Sequence, residues 1–201
     1  DGNGGVFISL AKSGILDRLA EGGVKWVNIV AVDNALIKPA DAVFVGFTSE
    51  FGVCAAVKSV LKKFPQEKIG VFCLKNKRPA VVEYSEISDE MRDSVNKSGN
   101  PLYGDANIGN YLFNIDILKK AGMCGMPYHR ALKKGRFFVD GVFKEMEFYK
   151  YETFIFDIYE YIPELLVYRV SRQDEFAPVK NRTGSDSPEE AIKMYMDARN
   201  I

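Results

Sequence analysis

Two kinds of apolar pattern alternate along the chain, and each predicts a different element. Near-continuous apolar runs rich in β-branched residues are typical of strands buried in a sheet. They occur at 25–32, 42–47, 69–74, 80–84, 107–113 and 165–171. Apolar positions at helical spacing, bounded by Gly, Pro or capping residues, predict helices. These occur at 6–12, 15–21, 53–64, 88–98, 115–121, 152–161 and after Ser187-Pro188.

The order of these elements predicts an α/β fold. The run 25–32 contains so few polar residues that we expect a central strand covered on both faces. The strands 69–74 and 80–84 flank a polar turn and are expected to pair as a hairpin, and Asp140-Gly141 predicts a second turn of this kind. Because strands and helices otherwise alternate, we expect a mixed, mostly parallel sheet.

Composition and charge exclude several classes of function. The chain has 201 residues, with 27 basic and 27 acidic side chains and no net charge. We therefore expect no nucleic-acid partner and no attraction to an anionic membrane. No apolar run is long enough to span a bilayer, and the first residues do not have the pattern of a signal peptide. Three widely spaced cysteines without a zinc-site pattern favour a reducing, cytoplasmic location.

A dense glycine loop, Asp1-Gly2-Asn3-Gly4-Gly5, stands at the first residue. Glycine lets backbone N–H groups approach a ligand closely, and the N-terminus of the helix behind the loop favours an anion. An ordinary turn has the same composition, so a ligand loop and a simple turn are both open. Since such loops normally follow a strand, we expect that the chain is cut before this point.

Asp33 ends the apolar run 25–32. Ligands of open α/β sheets collect at the carboxyl ends of strands, and a carboxylate there can hold Mg²⁺ against a substrate phosphate. Asp33-Asn34 can equally cap the turn that follows the strand. The residues alone leave a metal site and a turn cap as alternatives.

Two further candidates are polar groups at strand positions. Glu83-Tyr84 ends a strand, where the carboxylate either accepts hydrogen bonds from sugar hydroxyls or is simply solvated. Asn107 places an amide in an apolar run, and a buried amide needs a partner from the backbone or from a ligand.

The remaining candidates are cations and aromatic rings. Lys150 and Lys180 could neutralise phosphate, although most lysines are solvated surface residues. Phe154 and Phe156 are core residues by default. His129 has no Ser or Cys nucleophile motif near it, so a catalytic triad has no support.

Considered in order, these segments resemble the UDP-N-acetylglucosamine pyrophosphorylase family over nearly the whole chain, with the match thinning near the C-terminus. Each segment alone is weak, but seven in the same order are specific. They are 1–5 (DGNGG), Val32-Asp33-Asn34, 82–86 (VEYSE), Asn107-Ile108, Pro127-Tyr128-His129, 154–157 (FIFD) and 174–181 (DEFAPVKN). The segment 82–86 looks like the N-acetylhexosamine branch more than the UDP-glucose branch.

The resemblance implies a fold and a reaction. The implied fold is a Rossmann-like sheet of the nucleotide-sugar pyrophosphorylase (GT-A-like nucleotidyltransferase) type, truncated on its N-terminal side. Residues 1–170 would form the C-terminal half of the catalytic domain, and 171–201 would begin a C-terminal extension. The implied reaction converts UTP and N-acetylglucosamine 1-phosphate to UDP-N-acetylglucosamine and diphosphate, with Mg²⁺ or Mn²⁺ as cofactor. In-line attack on a phosphorus atom needs positioning and charge neutralisation more than a protein nucleophile.

The resemblance also implies roles for single residues. By position, the substrate-binding residues would be Gly2 beside the uridine, Asn3 beside the sugar, Glu83, Tyr84 and Asn107 on the hexosamine, and Phe154 and Phe156 around its acetyl group. The catalytic residues would be Asp33, which also holds the metal, and Lys150 and Lys180, which neutralise phosphate charge. The segment 144–153, which contains Lys150, departs from the family's usual sequence.

One departure from the family outweighs the others. Its glycine-rich triphosphate loop (Leu-x-x-Gly-x-Gly-Thr-Arg-Leu-Gly) and a nearby lysine have no counterpart in the chain. We therefore expect the isolated chain to be inactive and to need the missing N-terminal half of the same enzyme as a partner. A broad-specificity UDP-sugar pyrophosphorylase and a non-catalytic sugar-nucleotide-binding domain remain as alternatives.

Overall fold

The computed structural model describes residues 2–200, so Asp1 of the predicted glycine loop and Ile201 of the expected extension lie outside it. The helices are α1 Gly5–Lys12, α2 Ile15–Glu21, α3 Ala42–Glu50, α4 Asp89–Asp93, α5 Ile115–Cys124, α6 Arg172–Glu175 and α7 Pro188–Arg199, with a 3₁₀ helix at Ile155–Tyr161. The strands are β1 Trp26–Val30, β2 Ala55–Leu61, β3 Val71–Lys75, β4 Arg78–Val82, β5 Asp105–Asn114, β6 His129–Val139, β7 Val142–Glu152 and β8 Leu166–Arg169.

Six of the strands form one sheet around the long strand β5. The strands β4, β3, β5, β2 and β8 follow one another across it, and β1 pairs with β5 on the same edge as β3. Among the described strands only β2 and β8 pair in parallel, and every other pair is antiparallel. The mixed α/β character is therefore confirmed, but the expectation of a mostly parallel sheet is wrong. The strands β1 and β2 do run in the same direction, but β5 lies between them and runs the opposite way.

Two neighbouring predictions exchanged helix and strand. The segment predicted as the strand 42–47 is α3, whose first turn is capped by Asp41 accepting a hydrogen bond from Val43 N at 3.0 Å. The segment predicted as the helix 53–64 contains β2, which lies between β5 and β8. A helix over 53–64 would have turned its lysines to solvent, but the Lys58 side chain is fully buried in an ion pair with Asp41 and another with Glu175.

Most other elements were predicted correctly, with changed bounds. The confirmed elements are α1, α2, the β3–β4 hairpin, β5, α5, β8 and α7 with its Ser187 cap. The polar helix after Ser88 is only five residues long, and 152–161 holds a 3₁₀ helix. The strand β1 is half-buried at each position and pairs only with β5 among the described strands, so the prediction of a central strand covered on both faces is wrong.

The core lies on both faces of the sheet. On one face α1, α2, α5 and the 3₁₀ helix bury a large apolar cluster that includes Phe7, Phe113, Leu118, Ile158 and Tyr159. On the other face α3 packs Phe44 against Ala56 and Leu112. Each such side chain stabilises the fold by roughly 1.5–3 kcal/mol when it leaves water. The two layers hold β5 rigidly, and β5 carries the centre of the candidate site.

The strands β6 and β7 form a separate two-stranded hairpin of 11 residues each. Asp140 and Gly141 turn the chain at its tip, as predicted, with φ of 53° and 80°. The base of the hairpin leads through Thr153 directly into the 3₁₀ helix. Within residues 2–200, none of the helices combines the length and apolar character that a bilayer crossing requires.

Candidate functional site

The candidate site is built around an interruption on one edge of β5. Residues Asn110 to Asn114 of β5 pair with β1, whereas Ala106 pairs with β3 on the same edge. Between them the stretch 107–109, here called the β5 notch, bonds to the ends of both neighbours. The backbone N–H of Asn107 donates to Gly70 O at 2.8 Å, and the backbone N–H of Ala31 donates to Gly109 O at 2.7 Å.

Gly109 makes this close approach possible. Its φ is +71°, and a Cβ atom there would lie 2.5 Å from the Cβ of Ala31. A larger residue would push β1 away from the β5 notch. The carboxyl end of β1, and with it Asp33, is therefore held at the middle of β5.

Polar groups of β5 contact one another at the β5 notch, and charges from two other segments act on them. The Asn107 Nδ2 group donates to the Tyr111 hydroxyl at 2.9 Å, and its Oδ1 accepts from Gly109 N at 3.1 Å. Burial raises the pKa of Tyr111, and the nearby charges of Glu83 and Asp33 raise it further. The charges of both carboxylates, which follow β4 and β1, therefore act on the Tyr111 hydroxyl.

Glu83 lies against the start of β3. A Cβ atom on Gly70 would lie 2.9 Å from the Glu83 Oε1 atom. Burial raises the pKa of Glu83 and the charge of Glu86 adds to this, while Lys180 and His129 act in the opposite direction. The structure thus brings Glu83, Asn107, Asp33 and Lys180 into one region.

Asp33 and Lys180 are joined through the backbone. The amide of Val179 donates to Asp33 O at 2.7 Å. The next side chain, Asn34, is buried; its Oδ1 accepts from Leu36 N at 3.2 Å and from Ala177 N at 2.9 Å. The turn cap that the sequence offered as an alternative is therefore formed by Asn34. The side chain of Asp33 is exposed and forms no ion pair with the residues that the structure describes.

The glycine loop packs against the chain that enters the 3₁₀ helix. Gly4 N donates to Thr153 O at 2.9 Å, and Asn3 Oδ1 accepts from Ile155 N at 2.9 Å. A Cβ atom on Gly2 would lie 2.2 Å from Thr153 O, and one on Gly4 would lie 2.8 Å from the Phe154 amide nitrogen. The glycines are thus required for contact with the protein's own backbone.

An aromatic and imidazole group stands next to this loop. Phe154 stacks on Phe156 at 5.0 Å between ring centroids, and His129 lies 4.9 Å from Phe154. His129 Nε2 lies 3.0 Å from both carboxylate oxygens of Asp157. Burial raises the pKa of Asp157, although its bonds to His129 and to Phe154 N oppose the shift. Phe156 is buried, as its default assignment to the core predicted, and Phe154 is half-buried.

A cavity of about 530 Å³ opens beside this group, between β4 and the 3₁₀ helix. His129, Phe156, Asp157, Val82 and Glu86 are among the residues that line it. Its volume is within the range of small-molecule sites. A second cavity of about 530 Å³, lined by Phe51, Phe72 and Leu165 among others, contains none of the predicted site residues.

Two of the predicted residues, Lys150 and Tyr84, have no described contact with Asp33, Asn107 or Lys180. Lys150 is on β7 and pairs with Glu152 at 2.9 Å. A Cβ atom on Gly2 would lie 2.9 Å from the Cβ of Glu152, so Lys150 belongs to the glycine-loop side of the site. In the described part of the chain, no hydrogen bond or ion pair links it to Asp33, Glu83 or Lys180. Tyr84 has half of its surface exposed.

Sequence reasoning missed Tyr111, Asp157 and the buried Lys58. Asp157 stands three residues after Phe154 and accepts from its amide at 3.1 Å, which is a helix-capping spacing that could have been recognised. Lys58 and Tyr111 had no local signal, because their partners come from distant parts of the chain.

Residues 2–200 contain no group of three or more His, Cys, Asp or Glu side chains arranged to hold a metal ion. A single exposed carboxylate such as Asp33 still suits Mg²⁺, which often takes one or two protein carboxylates and completes its shell with water and substrate phosphates. The three cysteines Cys54, Cys73 and Cys124 are free thiols. Burial raises the pKa of the first two, which are half-buried.

An α/β domain that gathers carboxylates, an amide and a lysine into one region beside a cavity is typical of small-molecule-binding enzymes. Residues 1–186 match the UTP–glucose-1-phosphate uridylyltransferase family, and the chain belongs to that family.

Curated relatives and a solved structure agree with this assignment. The chain is 38% identical over 200 residues to UDP-N-acetylglucosamine diphosphorylase 2 of Arabidopsis thaliana, covering 95% of this chain and 39% of that protein. It is 36% identical over 208 residues to the UDP-N-acetylglucosamine pyrophosphorylase of Saccharomyces cerevisiae (strain ATCC 204508 / S288c), covering 98% and 44%. The crystal structure of the uridine diphosphate N-acetylglucosamine pyrophosphorylase of Trypanosoma brucei in complex with inhibitor superposes with a TM-score of 0.81 at 29% identity, covering 91% and 37%. The chain therefore spans about two fifths of the length of these relatives.

Proposed function

We propose that this chain provides the sugar-binding and metal-holding part of an enzyme that forms UDP-N-acetylglucosamine and diphosphate from UTP and N-acetylglucosamine 1-phosphate. The names of the two curated relatives support this reaction. The observation that carries the proposal is the convergence of Glu83, Asn107, Asp33 and Lys180 around the β5 notch.

The sugar is proposed to bind Glu83 and Asn107. Glu83 is half-buried, and its carboxylate can accept hydrogen bonds from sugar hydroxyls. The Asn107 amide uses one N–H on Tyr111 and one oxygen lone pair on Gly109, which leaves one donor and one acceptor for a ligand. Asn3 and Tyr84 are proposed to complete the contact with the sugar. Asn3 borders the 3₁₀ helix, and Tyr84 directly follows Glu83.

The acetyl group is proposed to lie against Phe154 and Phe156. The two rings are stacked, and Phe156 lines the cavity beside His129. An apolar wall next to polar hydroxyl partners would favour an N-acetyl sugar over a sugar with a hydroxyl at the same carbon. Gly2 is proposed to border the uridine, as its loop is held against Thr153.

Asp33 is proposed to hold Mg²⁺ or Mn²⁺ on a substrate phosphate. When bound, the ion would neutralise phosphate charge as it develops during transfer. Lys180 and Lys150 are proposed to add positive charge from two sides, Lys180 from the segment tied to Asp33 and Lys150 from the glycine-loop side. No protein nucleophile is needed, because in-line transfer depends on position and charge.

The remainder of a longer protein is proposed to supply the triphosphate loop that this chain does not contain. Residues 1–170 would then belong to a Rossmann-like catalytic domain, and 171–201 would begin the extension that follows it. The common direction of β1 and β2 and the parallel pair β2–β8 support the Rossmann-like assignment. The free cysteines support a cytoplasmic location.

The test is to assay the full-length protein and the 201-residue chain separately, with UTP and either N-acetylglucosamine 1-phosphate or glucose 1-phosphate. We expect diphosphate release from the full-length protein with the acetylated sugar, and none from the isolated chain. Asp33→Ala should lower turnover about 100-fold or more, as loss of a charge-stabilising group does, and should leave the circular dichroism spectrum unchanged.

Each other outcome has a defined meaning. A preference for glucose 1-phosphate would favour a broad-specificity UDP-sugar pyrophosphorylase. Tight binding of UDP-N-acetylglucosamine without turnover of any sugar phosphate would favour a non-catalytic binding domain. Unchanged turnover in Asp33→Ala would remove Asp33 from the metal site.

A further inference from the structure

Lys58 is a fully buried cation behind the candidate site. Its ammonium group donates to Asp41 Oδ2 and to Glu175 Oε2, both at 2.6 Å. Its side chain is on β2, where the pairing register with β5 shifts between Val57 and Ser59. Burial of a charge is unfavourable unless partners of opposite charge surround it. The folded state therefore requires both carboxylates to stay beside the Lys58 ammonium group.

The two carboxylates come from different parts of the fold. Asp41 caps α3, as its Oδ1 atom accepts from Val43 N at 3.0 Å. Glu175 ends α6, and its backbone oxygen accepts from Asn34 Nδ2 at 2.8 Å. Lys58 therefore joins the helix that precedes β2 to the segment that leads to Lys180.

The Glu175 side of this arrangement continues into the candidate site. Asn34 holds the segment after Glu175 twice, through Glu175 O and through Ala177 N at 2.9 Å. Asn34 and Pro178 form an isolated antiparallel bridge. The amide of Val179 then donates to the backbone oxygen of Asp33 at 2.7 Å. An unbroken series of contacts thus leads from Lys58 to Asp33 and to Lys180.

We propose that Lys58 is a positioning residue, which acts through Glu175 and Asn34 to hold Asp33 and Lys180 in register at the β5 notch. The inference rests on the proposed function, since it assigns Asp33 and Lys180 a shared phosphate and its metal ion. Small displacements of such groups strongly lower the rate of a reaction that depends on positioning.

The carboxylates provide a matched pair of variants. Lys58→Met would take the buried cation from the half-buried Asp41 and would leave the buried Glu175 with only the exposed Lys38, at 3.5 Å, so it endangers folding and is not the main test. Glu175→Gln and Asp41→Asn each remove one charge from Lys58 and keep the shape of the side chain. Asn is also a good helix cap, so α3 keeps its first turn in Asp41→Asn. Only Glu175 belongs to the segment that leads to Lys180.

The measurements on the full-length protein are kcat, the KM for N-acetylglucosamine 1-phosphate, and the affinity for Mn²⁺ with UTP by electron paramagnetic resonance. Glu175→Gln should lower kcat about tenfold or more and weaken Mn²⁺ binding, with the sugar phosphate KM changed by less than about twofold. Asp41→Asn should keep kcat and Mn²⁺ affinity close to wild type.

Amide hydrogen exchange gives a readout that does not depend on activity. Glu175→Gln should speed exchange at Ala177 and Val179, whereas Asp41→Asn should keep the Val43 amide capped and leave Val179 protected. Leu118→Ala, which opens a cavity in the core under α5, controls for general loss of stability.

The failure of this inference differs from failure of the proposed function. If wild-type protein is active but both carboxylate variants lose kcat equally, or Leu118→Ala also weakens Mn²⁺ binding, Lys58 acts on stability alone. If wild-type protein shows no turnover, the proposed function fails, and Mn²⁺ affinity and Val179 exchange then decide the positioning role. If Glu175→Gln and Asp41→Asn have equal Mn²⁺ affinity and equal Val179 exchange, the positioning role of Lys58 is overturned.

Discussion

At the scale of single residues, glycine serves close contact between parts of the backbone. Gly2 and Gly4 lie against Thr153 and Phe154, and Gly109 lies against Ala31. At each position a Cβ atom would come within 2.8 Å of a neighbour. The alternatives for the glycine loop were a ligand loop and an ordinary turn. The structure adds a third role, because the loop anchors Asn3 to the start of the 3₁₀ helix.

Gly2→Ala should detach this loop. Gly14→Ala is the matched control, since both glycines have left-handed φ angles, +71° and +67°, but Gly14 has no neighbour within 4 Å. Backbone strain alone should cost each variant about 1 kcal/mol of unfolding free energy. Only Gly2→Ala should also lose protection of the Ile155 amide, which donates a hydrogen bond to Asn3 Oδ1. Amide exchange by nuclear magnetic resonance would measure this, and equal Ile155 protection in both variants would contradict it.

The sequence predicted single residues only where the pattern was local, and it did not predict pairs whose partners are far apart along the chain. Asp33 and Glu83 follow apolar strands, and this local pattern made both of them candidates. The pairing of His129 with Asp157 joins residues 28 apart, and that of Lys58 with Glu175 joins residues 117 apart. No local pattern contains such pairs, so they could only be found in the folded chain.

At the scale of elements, the same limit explains the exchanged helix and strand. A lysine within an apolar run imitates the polar face of an amphipathic helix. The segment is a strand because tertiary partners, Asp41 and Glu175, neutralise Lys58 inside the fold. The error then changed the predicted sheet, since a helix at 53–64 between two strands suggests a parallel crossover. Elements whose local pattern and burial agree, such as α5 and the β3–β4 hairpin, were predicted correctly.

One ion pair ties the outer strand β8 to β5 across β2. Arg169 donates to Asp105 from Nε at 2.8 Å and from Nη2 at 2.7 Å, and Ser59 donates to the same carboxylate at 2.8 Å. Burial alone would raise the pKa of Asp105, but the bonds from Arg169 and Ser59 outweigh it and hold the pKa below its usual value. A carboxyl group with a lowered pKa stabilises the fold above its unfolded pKa of about 3.9.

Asp105→Asn should therefore lower the unfolding free energy at neutral pH by about 1 kcal/mol, because Arg169 is half exposed and solvent screens the pair. The stability of wild-type protein from this group is lost as the pH falls through the folded pKa of Asp105. The difference between wild type and variant should shrink over that acidic range and stay constant from about pH 5 to 8. Urea unfolding across a pH series would measure it, and a difference that grows towards acid would contradict the assignment.

At the scale of the whole molecule, one face of the β6–β7 hairpin exposes several large apolar side chains among charged ones. Its register places alternate residues of the two strands on one face, so that Leu132 pairs with Tyr149 and Phe138 with Phe143. With Tyr151 these side chains are each at least 53% exposed. Exposed apolar area on this scale marks an interaction surface or promotes association. In the 201-residue chain these side chains are open to solvent.

We therefore expect the 201-residue chain to self-associate through this hairpin face. The double variant Leu132→Thr with Tyr149→Thr removes apolar area and keeps residues that favour strands, so the hairpin should remain while association weakens. Val142→Thr with Met146→Thr is the matched control on the opposite face, at positions exposed to a similar extent. Sedimentation velocity over a concentration series should show the control associating like wild type and the Leu132–Tyr149 variant shifted to monomer. A wild-type chain that stays monomeric throughout the series, or a control that loses association equally, would show that this face does not drive assembly.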